Sequence, residues 1–425
     1  MKRLTLLFLI LALSACNSAL PASIAPSAAE PPPVPRAPVP APRFGVTALG
    51  VPFDCGILQS IGAQAGWDTL FWANIEPSQD EWQFEKMDAA IAAAEECGIA
   101  VSLKLRAEQG HWGVLPVEDP ADAEYNDGHK RGSRPPVNLD DYYDWVYTVA
   151  SRYRGRVRAY AVENEVNAKV FWLGTYDEYE SMLETAQRAV KAADPDALVA
   201  DSGIASAAYG ISIARWRYEH GDTPGAIEWL NRFYSRRTDQ KAENEEDLRL
   251  TIYSKDYRDR YVTMLRHFQR PDLYDIYQLH FYESWDLLPE LLEWIRARMA
   301  ESGALKPIEA WEIGYVEENA ARYDEAKHGR DTAKLLATAL GEGVTGVYYL
   351  PYLSSRAREG LPEKWWGLVE ADSTSRPARD AYAQIAAALS QFDSAVRLRA
   401  GPDEWAYQFD GLILRWTRDG EVRFE

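Results

Sequence analysis

Residues 159–167 read Ala159-Tyr160-Ala161-Val162-Glu163-Asn164-Glu165-Val166-Asn167. Four apolar or aromatic residues run straight into a cluster of carboxylates and amides. An unbroken apolar run of this length is expected of a strand covered on both faces, as in a parallel sheet. The polar cluster then falls at the strand's carboxyl end, where a closed parallel barrel builds its reactive face. An Asn followed by a Glu in that place can do a definite job. The amide can hold a sugar hydroxyl while the neighbouring carboxylic acid protonates a leaving oxygen. Asn-Glu pairs are also common in solvated loops, and the dipeptide alone leaves both readings open.

Working outward, short apolar strands are expected over residues 44–51, 67–72, 100–105, 157–163, 198–203, 276–280, 308–311 and 346–350. Helical periodicity falls between them, over 55–65, 84–97, 142–153, 176–193, 288–299 and 323–340, with a last helix over 378–389. The long charged stretch 211–271 reads as a helical insertion near 211–255 plus the fifth barrel helix. The acidic run Glu243-Asn244-Glu245-Glu246-Asp247 inside it reads as a solvated loop. Eight strand–helix alternations predict an α/β fold, a (β/α)8 TIM barrel over residues 43–390. Beyond residue 390 the pattern changes to short strands over 404–409, 412–416 and 422–425. Asp410-Gly411 and Asp419-Gly420 have hairpin-turn chemistry, so residues 391–425 are expected to form a small β appendage.

The bulk numbers restrict the partners. The chain has 425 residues, is 47% hydrophobic and carries a net charge of −19. That is ample for a packed core, and the charge argues against nucleic acid or an anionic membrane surface, both of which require a basic face. Fifteen Trp and 24 Tyr are many, a weak pointer to carbohydrate, because flat rings stack on sugars as well as filling cores. Six His and three Cys form no metal-ligand spacing, and no phosphate-cradling Gly loop or Gly-x-Ser-x-Gly elbow occurs. No cofactor and no metal are implied.

Lys2 and Arg3 precede an apolar run over 4–13 that is too short for a permanent membrane span and has signal-peptide form over residues 1–15. Leu13-Ser14-Ala15-Cys16 resembles the lipobox of bacterial lipoproteins, which implies lipidation of Cys16 and a place in the cell envelope. An ordinary cleaved signal is the alternative. The Ala-, Pro- and Ser-rich segment up to residue 42 reads as a tether. Membrane contact is thus expected through an N-terminal lipid anchor only, and the body is expected to be a monomer. Cys55, just after strand one, should lie near the upper face, and Cys97, closing a helix, near the lower. A disulfide needs α-carbons within roughly 7 Å, so the pair is expected to be free.

Glu165 at the top of strand four and Glu312 at the top of strand seven would face each other across the barrel mouth. Two carboxyl groups roughly 5–5.5 Å apart can cleave a glycosidic bond with retention, one as nucleophile and the other as acid and then base. Neighbouring negative charge would keep the acid protonated.

Asn164-Glu165 and Trp311-Glu312-Ile313-Gly314 resemble the strand-four and strand-seven signatures of clan A retaining glycoside hydrolases. Trp72-x-x-Ile75-Glu76-Pro77 with Trp82-x-Phe84, and Ser151-Arg152-Tyr153-Arg154-Gly155-Arg156, are similar to segments of family 10 xylanases. His280-x-Tyr282 and Trp366-Gly367-Leu368 are similar to family 39 and related enzymes. The resemblance spans about residues 44–390. It implies Glu165 as acid/base, Glu312 as nucleophile, Asn164 as a ligand of the sugar 2-hydroxyl, and His280 and Tyr282 as supports of the nucleophile. Strand three departs from the xylanase pattern with Lys104 and Arg106, and strand eight offers Tyr348 and Tyr349 where a sugar-stacking Trp is common.

Among the other candidates, Trp112, Trp285 and Trp365 could be sugar platforms or loop packing, and Tyr348 could contact substrate. Glu163 could be a second active-site carboxylate, but reads better as a salt-bridged support for a barrel Arg, and Glu76 reads as a turn residue. Two function classes follow. One is a retaining O-glycosyl hydrolase acting on a polysaccharide or oligosaccharide. The other is a catalytically silent carbohydrate-binding or scaffold lipoprotein on the same barrel. Keeping both glutamates favours the enzyme, because a pure binder has no use for the pair.

Overall fold

The computed structural model describes residues 42–47, 55–116, 132–236, 241–255, 265–317, 320–354, 366–370 and 372–425. The signal, Cys16, most of the tether and Trp365 lie outside the described residues. Among the described residues no helix is long and apolar enough to cross a membrane.

Eight parallel strands form the centre: β1 (Phe44–Thr47), β2 (Ala65–Phe71), β3 (Ala100–Arg106), β4 (Val157–Val162), β5 (Leu198–Ala200), β6 (Tyr277–Phe281), β7 (Ile308–Ile313) and β8 (Gly346–Tyr349). Their order, β5-β4-β3-β2-β1-β8-β7-β6, leaves β5 and β6 as the two ends of the ladder. A parallel bridge between Ala200 and Ile276 joins those ends, with the Asp275 amide donating to the Val199 carbonyl at 2.7 Å. The result is a nearly closed (β/α)8 barrel.

Alternation along each strand sorts the side chains. On β3, Val101, Leu103 and Leu105 belong to the apolar layer beneath the helices, which leaves Ser102, Lys104 and Arg106 for the interior. The barrel floor combines small and large residues: Ala65, Ala159, Ala161 and Ala200 leave room for Trp311 and Tyr348. An ion pair crosses the same floor. Arg158 meets Glu309, with its Nη1 3.0 Å from Oε2, and the Trp311 indole donates to that oxygen at 3.0 Å.

One irregularity positions the site. Between Ala310 and Ile313, β7 carries one residue more than either neighbour, since His280 pairs with Glu312 and Tyr349 with Ile313 after Gln278–Glu309 and Val347–Ala310. Strict alternation would send Glu312 outward with Ala310. The extra residue lets Trp311 and Glu312 both turn inward, as β-bulges do beside active sites.

The helices follow local signals. Helices α1 (Cys55–Ser60), α2 (Trp72–Ile75) and α3 (Glu85–Glu96) precede α4 (Leu139–Arg152), capped by Asn138. A capping box of Thr175 and Glu178 opens α5 (Tyr176–Ala193). The connection after β5 holds α6 (Ala207–Glu219), α7 (Thr223–Phe233) and α8 (Glu245–Ile252). Here the acidic run is not a solvated loop. Asn244 accepts a hydrogen bond from the Asp247 amide, and Glu245, Glu246 and Asp247 fill the first turn of α8, where the helix dipole favours negative charge. The remaining helices are α9 (Leu288–Glu301), α10 (Glu325–Gly341) and α11 (Pro377–Leu389).

Four antiparallel strands follow, β9 (Ala395–Arg397), β10 (Glu404–Phe409), β11 (Leu412–Thr417) and β12 (Arg423–Phe424), in the order β12-β11-β10-β9. Asp410 takes the left-handed conformation its turn requires, φ 49°. The sheet packs on the barrel at α10. The Tyr407 hydroxyl donates to Glu342 at 2.7 Å, and Gly341 leaves the space that the Tyr407 ring fills, because a Cβ there would come within 2.3 Å of it. Strand β9 has no period-two signal and its residues are half-buried or exposed, so its place comes from pairing with β10.

The two cysteines correct the sequence expectation. Cys55 and Cys97 form a disulfide, with α-carbons 5.2 Å apart. The expectation placed Cys55 at the top of a helix over 55–65, but α1 spans 6 residues, about 9 Å at the α-helical rise. Its first residue therefore lies close to the lower end, where Cys97 closes α3. The bond links positions 42 residues apart, and closing a loop of that size is worth about 2–4 kcal/mol. The Cys55→Ala/Cys97→Ala variant is expected to lose that much in equilibrium urea unfolding, with a higher m-value because the uncross-linked unfolded chain exposes more surface. An unchanged midpoint would show that the bond adds nothing.

Candidate active site

The interior side chains at the carboxyl ends of β3, β4, β6 and β7 converge. Strand β4 stops at Val162, and the chain then takes an unusual path. Glu163 and Glu165 both have positive φ, 65° and 41°, a conformation costing non-glycine residues of order 1–3 kcal/mol each and found mostly where function requires it. Hydrogen bonds hold it from both sides. The Glu163 amide donates to the Leu105 carbonyl at 2.9 Å, and the Glu165 amide to the Ser202 carbonyl at 2.9 Å. Glu163 is fully buried, accepts from the Ala107 amide at 2.7 Å and faces Arg106 at 3.6 Å. It supports the strand end, as its sequence position suggested. Asn167 ties the next turn down by accepting from the Ala205 amide at 3.0 Å.

Glu165 and Glu312 come together with His280. The His280 Nδ1 lies 2.8 Å from Glu165 Oε1 and 3.5 Å from Glu312 Oε2. Its contact with the Glu165 side is thus the closer one, whereas the family resemblance implied support for Glu312. Tyr282 does reach Glu312, donating its hydroxyl to Oε2 at 2.7 Å. One donor atom from each of Glu165, His280 and Glu312 lies within 4.8 Å of the others. A cation could bridge that spacing, but the Lys104 ammonium already supplies the positive charge, 2.7 Å from Glu312 Oε1.

Lys104 is the member that sequence reading named without giving it a role. It is 1% exposed, donates to Asn164 Oδ1 at 2.6 Å as well as to Glu312, and lies 4.0 Å from the centre of the Trp67 ring. Trp67 is itself fixed by donating to the Trp311 carbonyl at 2.6 Å. With its carbonyl engaged by Lys104, Asn164 is left to present its NH2 group to the site. Burial opposes ionisation of Glu312, but the neighbouring His280 ring, the Lys104 ammonium and the Tyr282 hydroxyl outweigh it and hold the carboxyl down at about 2. Burial lowers the Lys104 ammonium in turn, opposed by Glu312 and Glu165. The signal for Lys104 was present in the sequence: polar residues at every second position of an otherwise apolar strand belong inside a barrel.

Gln278, Asp201 and Gly203 also went unassigned. Gln278 alternates with His280 on β6, so the same rule would have found it. The other candidates lie elsewhere. Trp112 donates to the Glu76 carbonyl at 3.0 Å and packs against Trp72 and His111. Glu76 is a buried hub of that turn, accepting from the Trp72 indole at 2.7 Å and the Asp80 amide at 2.9 Å. Trp285 is buried against Trp405 and Trp416, where it mates the C-terminal sheet to the barrel. Tyr348 is buried in the barrel floor beside Trp311. Neither Trp285 nor Tyr348 shows an open ring face to the carboxylate pair.

Known structures share this fold. The chain is similar to a family 39 glycoside hydrolase from the gut symbiont Bacteroides cellulosilyticus WH2, at 16% identity over 88% of this chain and 70% of that one, TM-score 0.59. The fold is that of barrel glycoside hydrolases. A glucosidase from Croceicoccus marinus matches at 12% identity over 89% and 76% of the two chains, TM-score 0.57. A family 39 β-xylosidase from Caulobacter crescentus matches at 15% over 89% and 78%, TM-score 0.51. No family profile and no curated protein matches the sequence. At these identities the likeness to the glycoside hydrolases is one of fold.

Proposed function

We propose that the protein is a retaining glycoside hydrolase that cleaves O-glycosidic bonds of a polysaccharide or oligosaccharide through Glu165 and Glu312. The observation that carries the reading is the unequal environment of two close carboxylates. One oxygen of each lies within 4.8 Å of the other, a close approach of the kind that a double displacement by two carboxyl groups requires. Glu312 is held ionised by Lys104 and Tyr282, as a nucleophile must be. Glu165 has the imidazole beside it, as suits a group that gives and regains a proton.

In the first step Glu312 attacks the anomeric carbon while Glu165 protonates the departing oxygen. In the second, water attacks that carbon, Glu312 leaves, and the water's proton returns to Glu165. The Asn164 amide faces the sugar 2-hydroxyl. Cys16 carries the lipid that anchors the body in the cell envelope.

The test is hydrolysis of a panel of aryl glycosides and polysaccharides, with the anomeric configuration of the first-formed product read by proton NMR. Retention is expected. Inverted product would overturn the double displacement. Sugar binding without turnover of any panel member would favour the silent carbohydrate-binding alternative.

A further inference from the structure

The hydrogen bonds behind Glu165 are directional, and their directions can be read in sequence from one fixed point. The backbone carbonyl of Asp201 can only accept. Gln278 Nε2 lies 2.6 Å from it, so the amide nitrogen faces Asp201 and the amide oxygen faces the other way. That oxygen lies 2.8 Å from His280 Nε2. An amide oxygen can also only accept, so His280 Nε2 carries a hydrogen. A neutral ring with its hydrogen on Nε2 has a bare Nδ1, and Nδ1 lies 2.8 Å from Glu165 Oε1. A lone pair facing a carboxylate at that distance is repulsive. A proton therefore sits between them, either on Glu165 as the acid or on the ring as imidazolium. The two forms hold the same number of protons.

The arrangement is built rather than incidental. Gln278 and His280 are fully buried. Asp201 Oδ1 accepts from the Gln278 backbone amide at 2.8 Å and from the Gly203 amide at 3.3 Å, fixing the chain on both sides of the amide. Gly203 has φ 66°, and a Cβ there would lie 2.4 Å from His280 Nε2, so the ring occupies space that only glycine leaves open.

We propose that Gln278 is a positioning residue which, by holding His280 in the Nε2–H form, makes Glu165 and His280 a pair that stores the catalytic proton. The idea rests on the glycosidase reading for its use, though not for its geometry. In the first step one proton leaves the pair for the departing oxygen as the glycosidic C–O bond breaks. The pair is then left with a bare Nδ1 facing a carboxylate. In the second step the attacking water gives its proton back to the pair as the bond from Glu312 to the anomeric carbon breaks. Taking up that proton removes the repulsion between Nδ1 and the carboxylate. The charged and titratable groups facing the pair are Lys104 from β3, Asp201 after β5, Tyr209 from α6, Tyr282 after β6 and Glu312 from β7.

Two measurements test this. The first uses the unmodified protein labelled with 15N-histidine, whose six histidines make the spectrum tractable, with His280→Asn to assign the signal. The Nε2–H tautomer or the imidazolium is expected at neutral pH. A neutral ring protonated on Nδ1 overturns the proposal, whether or not the protein hydrolyses anything. The second is the pH dependence of kcat/KM. Gln278→Met removes the acceptor, lets the hydrogen move to Nδ1 and releases the stored proton, so the basic limb is expected to fall by about one pH unit or more. Gln278→Glu keeps an acceptor opposite Nε2 and adds negative charge, so the limb is expected to rise. A residue that merely fills space would move both limbs the same way or neither, and that result sinks the proposal. If the parent has no glycosidase activity, the hydrolase reading fails while the NMR result still decides the tautomer.

Discussion

Glu312→Gln is expected to abolish turnover of every substrate the parent cleaves, with kcat falling by about 10⁴-fold or more, the scale seen when a covalent nucleophile is removed. The amide is isosteric, so Lys104 and Tyr282 keep a partner, yet it cannot form the glycosyl ester. Glu165→Gln is expected to behave differently. With a dinitrophenyl glycoside the leaving group departs without an acid, so the first step survives. The second step stalls for want of a base, kcat falls, and the covalent ester accumulates. Azide, which needs no base, should then restore turnover and yield the glycosyl azide of retained configuration. Mass spectrometry of the quenched protein reads the ester directly. Equal losses in the two variants with no trapped ester would mean that the roles are misassigned. Glu312→Gln with parental activity would end the two-carboxylate mechanism altogether.

Lys104→Met is the second large effect. Methionine keeps much of the unbranched stem that lies over Trp67 and removes the charge beside Glu312. Burial would by itself raise the Glu312 carboxyl, and Lys104 is one of the groups that reverse this and bring it to about 2. Its loss should raise the carboxyl, so that protonation of the nucleophile enters the working range and the acidic limb of kcat/KM moves to higher pH. A depressed carboxylate contributes stability above its unfolded value and loses it as pH falls through the folded value. The variant should therefore give up part of that contribution, and its stability should fall by less than the parent's as pH drops below the unfolded carboxylate value. Lys104 also orients Asn164, so transition-state contact with the sugar weakens. Together these effects are expected to cost about 10²–10³ in kcat/KM, comparable to losing one preorganised electrostatic donor. Stability near neutral pH should also fall, because removing one partner of a buried ion pair leaves the Glu312 charge less compensated. A variant within about threefold of the parent, with an unmoved acidic limb, would show that Lys104 has no such role.

Much of the barrel was legible because its signals are local. Eight apolar segments separated by helical periodicity suffice to indicate a (β/α)8 barrel, and strand bounds such as 198–203 against Leu198–Ala200 differ mainly at polar ends, where side chains leave the ladder for the site. The Asn164-Glu165 and Trp311-Glu312 signatures marked two carboxylates at strand ends for the same reason. Trp285 illustrates the opposite case. An aromatic just after β6 has the same local pattern whether it faces a sugar or a neighbouring sheet, and only the packing of Trp405 and Trp416 chooses between them.

The sequence by itself determined the eightfold alternation, the strand ends that carry Glu165 and Glu312, and the polar alternation that sends Lys104 and His280 inward, because side-chain period and hydrophobic run length are properties of neighbouring residues. Tertiary structure decided the rest. A short α1 brings Cys55 to Cys97. The extra residue in β7 turns Glu312 inward beside Trp311, against the two-residue period. Three segments distant in sequence set the direction of the hydrogen bonds through Asp201, Gln278, His280 and Glu165. Register, bulges and hydrogen-bond direction depend on which strand lies alongside which, and no single stretch of chain contains that information.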